Sequence, residues 1–291
     1  MSSKAKGSGS DWSLRYAPHL GYLPPFEPLF SQLAGGPDLV TQLDFIAAQG
    51  FSGALHPWIT SHPPEAQAQF ASLLRERGLV PGCVLYAGME LLMQPAWVSA
   101  DPGLVDPLLE QVNTAVAIAR DIGAQVVAVL VMGDPGLPRD VQAENLARNL
   151  QAAADIAAKH AVTLGIEPMI DLPGMYFETT MEAADLLRQI DHGSARLLFD
   201  TAHVAAMDGD VLAVQEQVED LVCLYQLADV PGRIEPGAGS IDFTALLSRI
   251  LASGYSGLVE LEHGWAEEGA ESERAGLERL RAIDTAAAKG S

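Results

Sequence analysis

The chain has 291 residues, 48% hydrophobic and 19% charged, which suits one large globular domain or two small ones and excludes a fibre or a disordered chain. Its formal net charge of −21 and pI near 4.5 describe a surface that repels nucleic-acid phosphates and anionic lipid. A small anionic substrate stays compatible if a metal ion and an arginine reverse the local field. The two cysteines, Cys83 and Cys223, lie in separate apolar runs without a CxxC or Cys/His grouping, so they read as buried free thiols and not as a zinc site. Unpaired thiols fit a reducing cytoplasm, and no apolar run reaches membrane-spanning length. Residues 1–11 are Gly/Ser-rich and lack the apolar core of a signal peptide, so they read as a flexible tail, as does Lys289-Gly290-Ser291. The expected domain is 12–288.

In chain order, strand-length apolar runs alternate with Ala/Leu-rich helical patterns. Arg15 to Leu20 predicts a strand, Leu39 to Gln49 a helix, Phe51 to His56 a strand, Pro64 to Arg77 a helix and Leu79 to Tyr86 a strand. Leu104 to Gly123 predicts a long helix. Gln125 to Met132 is apolar throughout, as in a strand covered on both faces. Helix Asp140 to His160, strand Val162 to Glu167, helix Met181 to Gln189, strand Arg196 to Asp200 and helix Val211 to Gln217 follow. Strand Leu221 to Leu227, helix Thr244 to Ser253, strand Gly257 to Glu262 and helix Ala270 to Ala287 complete the chain. About eight strand–helix units in series, with no glycine-rich nucleotide loop after the first strand, predict an α/β fold built as a single (β/α)8 barrel.

In such a barrel the functional groups stand at the C-terminal ends of the strands. Four consecutive ends deliver Glu167, Asp200, Gln226 and either Glu260 or Glu262. The last two share one face of their strand, so the pattern leaves the choice between them open. Carboxylates converging on one mouth repel each other, and a divalent cation resolves the conflict. Oxygen donors suit Mg2+ or Mn2+, with Co2+ also acceptable. The segment Tyr225 to Phe243 starts as a buried strand and breaks into a Pro/Gly-rich loop that carries Arg233. His203 lies one helical turn beyond Asp200. His19 and His56 end the first and second strands within reach of the pocket, and His56 is taken as a substrate contact. Trp58, Tyr86, Trp97 and Trp265 are candidates for pocket walls or plain packing.

These residues resemble a known family. Glu167-Pro168, Phe199-Asp200-Thr201-Ala202-His203, the run from Gln226 through Ala228-Asp229-Val230-Pro231-Gly232-Arg233 to Glu235-Pro236-Gly237, and Leu261-Glu262 look like the hydroxypyruvate isomerase family. That family belongs to the xylose-isomerase-like (β/α)8 barrels, with sugar 3-epimerases, inosose dehydratases and endonuclease IV as relatives. The resemblance is specific from about Val162 to His263 and mainly architectural before it.

It implies that Glu167, Asp200, Gln226 and Glu262 ligate the metal, that Glu167 and Glu262 are also the two acid/base groups, and that His203 and Arg233 bind substrate oxygens. The register set by Gly254-Tyr255-Ser256-Gly257 selects Glu262 over Glu260. The chain departs from the family at Leu55-His56, where a glutamate is common, and at Met169-Ile170, where an asparagine is frequent. The implied activity is interconversion of a small 2-hydroxy aldehyde and ketone, such as hydroxypyruvate and tartronate semialdehyde, through an enediolate. Arg233 is expected to pair with a substrate carboxylate. Ketose 3-epimerase, 2-oxo-sugar-acid isomerase, and lyase or dehydratase chemistry are the alternatives on the same scaffold. A nucleic-acid enzyme would need a basic groove, which the charge opposes. A non-catalytic binding barrel would hold no metal. Expected partners are small hydroxy-carbonyl or sugar-acid molecules, with neither nucleic acid nor membrane. A homo-oligomer is compatible, though no pairing face is identifiable.

Overall fold

Short strands that are apolar on both faces need cover on both faces, and a ring of parallel strands wrapped in helices supplies it. The structure is a computed structural model describing residues 12–170 and 172–290; the expected tail at 1–11 and Ser291 lie outside the described residues. Strands β1 (Arg15–Pro18), β2 (Gly53–Ala54), β3 (Val80–Pro81), β4 (Val84–Leu85), β5 (Val126–Val129), β6 (Thr163–Ile166), β7 (Ala195–Asp200), β8 (Val222–Leu227) and β9 (Leu258–Leu261) pair in parallel throughout. Seven run in the order β1-β9-β8-β7-β6-β5-β4, and β2 pairs with β3. Ser52 N–H donates to Tyr16 O and Leu55 N–H to Pro18 O, each at 2.9 Å, which stitches β2 to β1. Because β3 and β4 share one position, nine segments make eight positions and the ring closes.

The third strand was expected to run unbroken, and its break has a visible cause. At Gly82-Cys83 the ladder passes from β2 on one side to β5 on the other. The Cys83 N–H freed there donates to Glu260 Oε1 at 2.6 Å, across the barrel interior. A side chain at position 82 would collide with that carboxylate, since its Cβ would lie 2.5 Å from Glu260 Oε1 and 2.9 Å from Leu55 Cα.

Helices α1 (Leu39–Ala48), α2 (Pro64–Glu76), α4 (Pro102–Ile122), α5 (Arg139–Ala158), α6 (Thr180–Ile190), α8 (Val211–Val218), α9 (Phe243–Ala252) and α10 (Ala270–Gly290) follow the predicted patterns closely. Asp38, Asp101, Thr179, Asp210 and Asp242 cap their helices by accepting a first-turn N–H, so the entry points were written in the sequence. The outer core lies between helices and sheet, where Leu146, Leu150, Ala153 and Ala154 of α5 are fully buried. Two short helices were not anticipated, α3 (Met89–Leu92) and α7 (Thr201–Met207). At the C-terminal end, α10 runs through Lys289 and Gly290, which are therefore helical and not part of a tail. None of the described helices is long and apolar enough to cross a membrane.

Candidate active site

The strand ends expected to carry chemistry meet in one cavity of about 120 Å3 at the C-terminal mouth, lined by Glu167, His203, Gln226, Arg233 and Glu262. Glu167 follows β6 directly, its N–H held by Val129 O at 3.0 Å. Asp200 ends β7 and caps α7: its Oδ1 accepts from Ala202 N–H at 2.8 Å and His203 N–H at 3.0 Å. That cap is what turns His203 toward the carboxylates. Glu167, Asp200 and His203 each bring one ligand atom within 4.8 Å of the others. His203 thus joins the carboxylate cluster itself, beyond the substrate contact that the resemblance implies.

Arg233 binds the group together. Its Nη2 donates to Asp200 Oδ2 at 2.8 Å and to Glu262 Oε1 at 3.0 Å, while Nη1 donates to Asp200 Oδ1 at 3.2 Å and lies 3.3 Å from His203 Nε2. The guanidinium expected to grip a substrate carboxylate is here bonded to two protein carboxylates. Its loop is held from within. Asp229, fully buried, accepts Val230 N–H (2.8 Å) and Ile241 N–H (3.0 Å) on Oδ1 and Gly237 N–H (2.9 Å) and Gly239 N–H (2.8 Å) on Oδ2. Asp229 and Ile234 exchange backbone bonds around the turn that carries Arg233, whose φ is 54°.

Beneath the cavity floor, Gln226 Nε2 donates to Glu262 Oε2 at 2.6 Å and to Glu260 Oε2 at 3.0 Å. The amide nitrogen thus faces both carboxyl groups, and Gln226 Oε1 is left buried without a partner. Glu260 lies in register with Gln226 inside the barrel and is held by Cys83, whose Sγ is 3.3 Å from its Oε2. The ambiguity between the two glutamates is thereby settled in space: Glu262 faces the cavity and Glu260 braces its floor.

The charges set the acidities. Burial pushes Glu262 up to about 8, against the pull of Arg233 and with further push from Asp200. Burial, then Glu262 and Asp200, hold Glu167 well above the usual carboxylate range. Asp200 goes the other way: burial acts to raise it, but Arg233 and His203 together with the His203 N–H bring it below the ordinary value. Glu260 is pushed up to about 6 by burial, opposed by its bonds from Cys83 and Gln226.

Of the other candidates, Trp58 lines the cavity, its Nε1 donating to Tyr22 O at 2.7 Å, while Tyr86 and Trp97 pack edge-to-face in the core. Trp265 donates to Leu29 O at 2.7 Å and packs on Phe30. His19 is a buried brace, accepting Gly21 N–H on Nδ1 at 3.1 Å with Nε2 3.0 Å from His263 O. His56 is not brought to the cavity. Its ring stacks edge-on to His62 and Phe70 and lines an adjacent cleft, because the chain turns at Pro57 directly after β2. The sequence reading missed Cys83 and Tyr22 as lining residues; nothing in their local pattern marks them.

Glu167, Asp200 and His203, whose ligand atoms lie within 4.8 Å of one another, are a mixed oxygen and nitrogen donor set that fits a divalent cation, and Glu262 and Gln226 line the same cavity as Glu167 and His203. Glu167 and Glu262, both held above the usual carboxylate range by burial, thus stand together at the mouth of a closed parallel barrel. The chain belongs to the xylose isomerase-like TIM barrel family, whose model matches residues 43–283. It is 30% identical over 169 residues to the hydroxypyruvate isomerase of Escherichia coli (strain K12), a match covering 57% of this chain and 66% of that one, just under two thirds. It is 25% identical over 260 residues to the 2-oxo-tetronate isomerase of Pectobacterium atrosepticum, covering 84% of this chain and 97% of that one. A solved AP endonuclease, family 2, from Brucella melitensis shares the fold with a TM-score of 0.73 at 23% identity, over 92% of this chain and 99% of that chain. The family resemblance drawn from the motifs is borne out.

Proposed function

We propose that the protein is a divalent-metal-dependent isomerase interconverting a small 2-hydroxy aldehyde and its ketone, of the hydroxypyruvate and tartronate semialdehyde kind. The observation that carries this reading is that Glu167, Gln226 and Glu262 line one cavity, with Asp200 beside them on Arg233 and with both glutamates weakened as acids. Glu167, Asp200, Gln226 and Glu262 would hold Mg2+ or Mn2+, or Co2+ with its greater tolerance for the nearby His203 nitrogen. The cation, when bound, supplies Lewis acidity that polarises the substrate carbonyl.

The proton traffic belongs to the chain. Glu262 takes the carbon-bound proton beside the carbonyl, and a carboxylate of raised basicity is suited to that near neutral pH. Glu167 delivers a proton to the neighbouring carbon of the enediolate, the hydroxyl proton passes from the old alcohol oxygen to the old carbonyl oxygen, and exchange of one proton with solvent at each glutamate restores both groups. Asp200 stays ionised and holds both the His203 backbone N–H and the Arg233 guanidinium at the edge of the cavity, where both side chains would meet substrate oxygens. Unpaired Cys83 and Cys223 suit a reducing cytoplasm.

A second reading, isomerisation of a longer 2-oxo sugar acid, draws support from the match to 2-oxo-tetronate isomerase along nearly all of that chain. The test is a panel of hydroxypyruvate, 2-oxo sugar acids and free ketoses with Mg2+, Mn2+ or Co2+, followed by exchange of carbon-bound protons with solvent. Metal-dependent exchange that a chelator abolishes is expected. A protein that binds no divalent ion and exchanges no proton would sink the proposal.

A further inference from the structure

Beside its charged and amide groups the cavity is lined by much hydrocarbon, including Trp58, Leu85, Met89, Leu130, Met169 and Leu172. The one polar atom of Trp58 is already committed to Tyr22 O. The apolar character continues outward to the rim, where Leu23 is 51% and Met89 46% exposed. Phe26, Met93 and Ile170, also exposed, sit on segments that leave the same ends of β1, β4 and β6.

A polyol carries a hydroxyl on nearly every carbon. Each hydroxyl set against such a wall loses water and gains no partner, which weakens binding about fivefold or more. An alkyl or aryl group gains on the same surface, about fourfold for each buried methylene.

We infer that the substrate is a 2-hydroxy-carbonyl compound whose remaining substituent is an apolar alkyl or aryl group and not a polyhydroxylated chain. This rests on the isomerase reading above for the reacting head alone and departs from it in the substituent, an apolar group standing where hydroxypyruvate has its carboxylate. The departure at Met169-Ile170, where an asparagine is frequent in the resembling family, falls on this wall and its rim.

The test uses the full chain with Mg2+ and two pairs of hydroxyketones: erythrulose against 1-hydroxy-4-methylpentan-2-one, and a hexulose against 1-hydroxy-3-phenylpropan-2-one. Exchange of the C1 protons into D2O is followed by NMR, and binding by the change in tryptophan fluorescence. The apolar member of each pair is expected to exchange with kcat/KM at least about tenfold higher. Met169→Asn combined with Leu172→Ser is expected to lower that ratio by about tenfold or more, mostly through KM for the apolar member. Equal or better exchange of the polyols by the unaltered chain overturns the inference and leaves the isomerase reading standing. Binding of the apolar ketones with no exchange in any compound overturns the isomerase reading instead.

Discussion

Replacing Asp229 by asparagine tests how Arg233 is held over the mouth. The side chain keeps its size and loses one acceptor. Asp229 Oδ2 takes Gly237 and Gly239 N–H groups at 2.9 and 2.8 Å, and an amide nitrogen there accepts neither. Each bond to a charged acceptor contributes about 1.5–3 kcal/mol, so losing two gives about 3–6 kcal/mol. Both glycines are exposed, so water restores part of this and the expected loss is near the lower end, about 3 kcal/mol. For a chain of this size that lowers Tm by about 6–12 °C. Because the same loop carries Arg233, kcat/KM should fall by about tenfold or more as the guanidinium loses its register on Asp200 and Glu262. Scanning calorimetry and steady-state kinetics read the two effects. An asparagine variant melting within about 2 °C of the parent with unchanged kcat/KM would show that the carboxylate does not organise this loop.

Glu262→Gln is expected to reduce turnover to background with a native circular-dichroism spectrum; normal turnover would remove Glu262 from the proton path. Between pH 6 and 8 the metal-free protein keeps a proton on Glu262, whose acidity is weakened to about 8, so cation binding must release it. Apparent Mn2+ affinity should therefore climb with pH by up to about tenfold per unit and level off above 8, measured by titration calorimetry in buffers of different ionisation enthalpy. A flat profile would contradict this. The same raised acidity means that the folded state binds more protons than the unfolded state from about pH 4.5 to 8, so Glu262 makes the metal-free protein lose stability as pH rises through that window. Arg233→Met removes the competitor for Asp200 and Glu262, so it should tighten Mn2+ binding about tenfold while lowering kcat/KM; weaker binding would mean that the guanidinium supports the cation site.

The alternation of strand-length apolar runs and Ala/Leu-rich helical patterns made the barrel legible, because both are local signals. Glu167, Asp200 and Gln226 could be placed at the mouth for the same reason: each ends an apolar run. What escaped depended on contacts between distant segments. The break at Gly82-Cys83 exists because Glu260 arrives from the last strand; α7, by contrast, has a local signal in the Asp200 cap on Ala202 and His203, which the reading of strands and long helices passed over. His56 fell outside the cavity because Pro57 redirects the chain, a turn whose direction the pattern of neighbouring residues does not encode.

The brace between Glu260 and the split third strand also has a consequence for descent. Position 82 tolerates no side chain while a glutamate stands at 260, and without that glutamate the Cys83 N–H loses its acceptor. The glycine cannot drift alone. Relatives that keep this floor should carry both glycine and glutamate, whereas those that lose the glutamate still need the glycine, because Leu55 Cα would lie 2.9 Å from a Cβ at 82.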